Sequence, residues 1–76
     1  MSTERMGTEG APHPASTAAE LAAVAETVER SRQRVGSLAE PYLGTEREDI
    51  VAALYEAERQ LMGAERTLQR ALKVVR

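Results

Sequence analysis

TEREDIVAALYEAERQLMGAERTLQRALKVVR, residues 45–76, decides the fold. Leu54, Leu61, Leu68 and Val75 recur every seven residues, and Ile50, Ala57, Ala64 and Ala71 form a second row with the same period. That alternation of three and four puts both rows on one stripe of an α-helix. A strict seven-residue repeat supercoils such a helix left-handedly around a neighbour. Alternating Leu with Ala resembles the Ala-rich antiparallel coiled coils in which two backbones approach closely. The ends agree with this reading. Thr45 and Glu48 stand at capping-box spacing. Glu46, Glu48 and Asp49 crowd the first turn while Arg70, Lys73 and Arg76 crowd the last, as the helix dipole favours. A helix over about 46–75 follows.

Upstream, Pro41 disfavours helical backbone in the residue before it, so a preceding helix must stop near Ala39 or Glu40. Glu40–Gly44 then reads as a short connection. Leu21, Val24, Val28, Val35 and Leu38 keep helical spacing, with Ser31 filling the one missing step, and Ser16 or Thr17 offers an N-cap with Glu20 three residues beyond Thr17. The first helix is predicted over about 17–40. Residues 1–15, rich in Gly, Ser and Thr and carrying His13 between two prolines, have no periodic apolar pattern and read as a disordered tail to a single domain at 16–76.

A short connection makes the two helices antiparallel neighbours, an all-α hairpin. Folding about Tyr42 and Leu43 at equal rise pairs positions whose numbers add to roughly 88–90. Leu38 is expected against Ile50, Ser31 against Ala57, Val28 against Leu61, Val24 against Ala64 and Leu21 against Leu68. The expected hairpin core is therefore Leu21, Val24, Val28, Val35, Leu38, Ile50, Leu54, Ala57, Leu61, Ala64, Leu68 and Ala71. Arg32 and Glu58 fall on matching flanking positions and predict an ion pair worth under about 1 kcal/mol.

Composition excludes most chemistry. The chain has 76 residues, no Cys, Trp or Phe, and a single histidine. There is no disulfide, no thiol nucleophile and no cysteine-bound zinc to build. Inward-facing Glu in a helical bundle binds a metal pair only with Glu-x-x-His motifs, and no histidine exists outside the tail. Ser and Thr have no histidine base in the helical part, and Gly36, Gly44 and Gly63 are too isolated for a phosphate loop. No catalysis, cofactor, metal or small-molecule substrate is expected.

A net charge of -2 exerts no general pull on nucleic acid or an anionic membrane. Arg30, Arg32 and Arg34 form one basic cluster and Arg59, Arg66 and Lys73 another row. Glu26, Glu29, Glu56 and Glu58 offset the first, and no aromatic accompanies it for base stacking, so nucleic acid is not the expected partner. No leader-like or membrane-spanning apolar run occurs, which points to the cytoplasm. Nine arginines against one lysine, with abundant alanine, suit a GC-rich bacterial genome.

Size supplies the functional expectation. Chains below about 70–80 residues seldom hold a sufficient core and add staples or partners. Val51, Tyr55, Met62, Leu72 and Val75 widen the apolar stripe beyond what one helix covers, and they are the expected interface. A homodimer forming a four-helix bundle is the first expectation, and capture of a helix from a larger, different protein is the second. Hairpins of the WXG secretion-substrate class share this size. Their turn carries Trp-x-Gly where this chain has Pro41-Tyr42-Leu43-Gly44, and Tyr55 is followed four residues on by Arg59 instead of an acid, so the chain is not read as one of them.

Overall fold

Two long helices account for nearly all of residues 13–76, the part of the chain that the computed structural model describes. The first, α1, spans Pro14–Leu38, and the second, α2, spans Glu48–Val75. They pack against each other. Arg32 bonds across to Glu65, and Gly36 further along α1 lies against Glu58 earlier on α2, so the helices run antiparallel. No strand occurs among the described residues.

α1 begins earlier than its capping signals suggest. Pro14 opens it, with His13 at the N-cap in extended backbone and no side-chain cap. Proline is pre-shaped for a first helical position, where its missing N–H costs nothing, and the Thr17 amide already donates to the His13 carbonyl at 3.0 Å. Ser16 and Thr17 are thus inside the helix. The expected tail falls on residues 1–12, outside the described residues, and on His13–Ala15, which form the cap and the first helical positions. α1 ends where Pro41 dictates, with Ala39 as its C-cap.

The connection is longer than the sequence suggests. A 3-10 turn at Glu40–Tyr42 packs on both helices. Gly44 at φ +76° then turns the chain, in a region where any side chain is strained. Thr45 does not cap α2 through a box with Glu48. Its hydroxyl donates to the Tyr42 carbonyl at 2.6 Å and accepts the Arg47 amide at 3.2 Å. Thr45 therefore secures the turn, and Arg47 stands at the N-cap.

This longer connection resets the register. Arg32 pairs with Glu65 in place of Glu58, one seven-residue repeat further along α2. Ala39–Arg47 climbs beside the first turns of α2, so helix pairing starts deeper into α2. At equal rise, Leu21 then lies level with Arg76. Arg32 and Glu65 are each only 23% exposed at the side chain, and they sit within the seam between the helices.

Both helices are also rotated by one row from the expected packing. The less exposed positions of α1 and its C-cap include Ala18, Leu21, Ala25, Val28, Arg32, Val35 and Ala39, and those of α2 include Val51, Leu54, Glu58, Leu61, Glu65, Leu68, Leu72 and Val75. Each set keeps strict three-four spacing. Ser31 is exposed, and Arg32 takes the step assigned to it. Val24 and Leu38, expected in the core, are 49% and 57% exposed. Ala57 is exposed as well, while Ile50, Ala64 and Ala71 are half-buried at the seam's edge. Small side chains at Ala25 and Ala39, both buried, let the backbones close up there. The ion pair needs this rotation, because Arg32 reaches Glu65 only when both point into the seam.

Candidate functional site

The rotation sorts the molecule into two unlike flanks. On one, Ala22 and Glu29 of α1 share a groove of about 490 Å³ with Gln69 and Arg66 of α2, and Gly36 shares another with Tyr55 and Glu58. This flank is charged. It holds the Arg32–Glu65 pair, and Gly36 is bare enough for the Glu58 carboxylate to lie over α1's backbone: a Cβ there would come within 2.6 Å of Oε2. Further round, Arg59 pairs with Glu56 and Arg30 with Glu26.

The opposite flank carries no charge on its α2 rows, and Glu20 and Arg34 of α1 border it on the outer side. From α1 it receives the row Val24, Ser31, Leu38 beside Leu21, Val28 and Val35. From α2 it receives Ile50, Ala57, Ala64 and Ala71 beside the leucine row, and outside them Ala53, Gln60, Thr67 and Val74. All ten charged residues from Glu48 to Arg76 lie off these three rows of α2. The flank is also unfinished. Among the described residues the buried apolar side chains are Ala25, Ala39 and Leu72 alone, and Leu54, Leu61 and Leu68 stay half-exposed.

The residues expected at an interface divide accordingly. Leu72 is buried between the helices and Val51 is half-buried, because the rotation carried their row inward, while Val75 is half-buried at the end of the leucine row. Tyr55 and Met62 remain open at 39% and 41%, but on the charged flank, apart from the uncharged rows. Alternation of Leu and Ala alone did not reveal the row Ala53, Gln60, Thr67, Val74 or the buried alanines Ala25 and Ala39. The uneven placement of charge around α2 is the signal that could have found the former.

The basic clusters are dispersed. Arg32 is engaged in the seam, Arg30 and Arg59 pair with their own helices, and Arg34 stands on the other side of α1. Among the described residues no group of three or more His, Asp or Glu gathers to hold a metal, and no helix is long and apolar enough to cross a membrane. At the start of α2, Arg47 donates two hydrogen bonds to Asp49, at 3.0 and 2.9 Å. They hold the Asp49 carboxyl below the usual range. That pair is largely exposed and organises the helix start. What the molecule offers chemically is surface: one long uncharged flank and one charged flank. No protein-family model, curated protein or solved structure matches the chain.

Proposed function

We propose that the protein is a non-catalytic, cytoplasmic interaction module that self-associates, two hairpins forming a four-helix coiled-coil bundle that serves as an assembly or regulatory adaptor. One observation carries this reading: the hairpin has two helices but no finished core, with Leu54, Leu61 and Leu68 half-exposed in a row. Fully burying a leucine contributes about 1.5–3 kcal/mol relative to leaving it exposed. A chain this small has few other sources of stability. A second copy supplies what the fold leaves out.

Light scattering during size exclusion, over a wide range of concentration, tests it. A mass near twice 8.3 kDa that persists on dilution is the expected result. A folded monomer at every concentration refutes it. Tyr55 and Met62, open on the charged flank, would then favour the second reading, in which the hairpin takes a helix from a larger protein.

A further inference from the structure

Self-association does not by itself say which flank is used, and the structure separates the choices. We infer that a second copy of this chain seats on the uncharged flank, with the α2 row Ala57, Ala64, Ala71 at its centre and Val24 and Leu38 of α1 along its side. The inference rests on the self-association proposed above and goes further by assigning its surface.

Three observations choose this occupant. The first is charge. A partner with exposed charge would lose hydration against this flank and find no opposite charge along its centre. The partner surface must therefore be equally uncharged over the same length, and the flank of a second copy meets that requirement by construction. Isologous pairing needs only such a self-complementary patch. The second is area. From Ile50 to Val74 the flank runs about 36 Å at the helical rise, and two packed helices are roughly 20 Å across. The product, roughly 700 Å², approaches the about 800 Å² per partner of a stable interface. The third is the pattern of exposure. Val24, Leu38 and the half-exposed leucines all border this flank, whereas the opposite one carries Glu29, Glu58, Glu65 and Arg66 around Tyr55 and Met62. Pairing through that flank would desolvate the charges of Glu29, Glu58 and Arg66. The alanine row lets α2 come close to its counterpart, and the leucines on its border fill the space beside it.

The chain contains no cysteine, so a single introduced thiol reports on one place. Ala64→Cys puts it on the uncharged flank and Met62→Cys on the charged one, both as modest changes of volume. Alkylation by iodoacetamide is followed across the concentrations over which light scattering sees association. The expected result is at least tenfold slowing at position 64 on association, with position 62 reacting at an unchanged rate. Slowing at 62 and not at 64, or equal slowing at both, overturns the assignment while leaving self-association intact. A mass that never rises above the monomer overturns both. Ala64→Arg adds a second arm: it should abolish the doubled mass, whereas Met62→Arg should keep it. Retention of the dimer by Ala64→Arg counts against the assignment.

Discussion

Arg32 and Glu65 form the cross-helix contact with the largest local consequence. Both side chains are mostly covered, so removing one leaves the other short of solvent and of its partner. Arg32→Met should lower stability in urea melts by about 1–2 kcal/mol, a discounted figure because the site is not fully dry. Adding Glu65→Leu should restore most of the loss, since an apolar pair of similar volume dispenses with the desolvation. A double substitution as unstable as the single one would show that the ion pair itself sustains the seam. Asp49 offers a gentler test. Its carboxyl is held low first by the hydrogen bond from Arg47, against a smaller opposing effect of burial. A carboxylate with a depressed folded value contributes stability above its unfolded value, and loses that contribution as pH falls through the folded one. An NMR titration should find Asp49 protonating at lower pH than an aspartate in the unfolded chain, and Arg47→Ala should return it toward the usual range.

At the scale of the element, two glycines have opposite expectations. Gly44 turns the connection at φ +76°, so Gly44→Ala should cost about 1–2 kcal/mol through backbone strain alone. Gly63 is helical, and an added Cβ meets only the Arg66 Nη2 at 3.9 Å. Gly63→Ala should therefore raise the melting temperature, with up to about 1 kcal/mol from helix propensity. The helices themselves were legible in the sequence: seven-residue spacing, charged ends and Pro41 each act within a few residues. Which row faces which was not legible. On α2 the rows at Ile50 and at Val51 both make a three-four seam with the leucines. The choice falls to contacts between helices, above all Arg32 with Glu65 and the close approach at Ala25 and Ala39. Thr45 misled for a similar reason, because its hydroxyl serves equally to cap a helix or to fasten a turn.

For the whole molecule, folding coupled to pairing makes stability depend on concentration. Each tenfold increase should add about 1.4 kcal/mol per dimer, visible as a rise in melting temperature of about 3–5 °C for a unit of this size. A melting temperature independent of concentration would speak against coupled association. The uncharged flank needed both the antiparallel topology and the register, so it emerges only when two helices are considered together. Burial is graded along α1, from an exposed start to half-buried positions at Val28 and Val35. His13–Thr17, the N-cap and first turn of α1, are exposed throughout. The hydrogen bonds of that turn rest on backbone propensity, supported by Pro14 and a run of alanines, while those around Val28 and Val35 rest on packing. In deuterated water, amides near Ala18 should exchange quickly and those near Val35 slowly. A single unbroken helix would then open from one end like a zip, with lifetimes graded along its length.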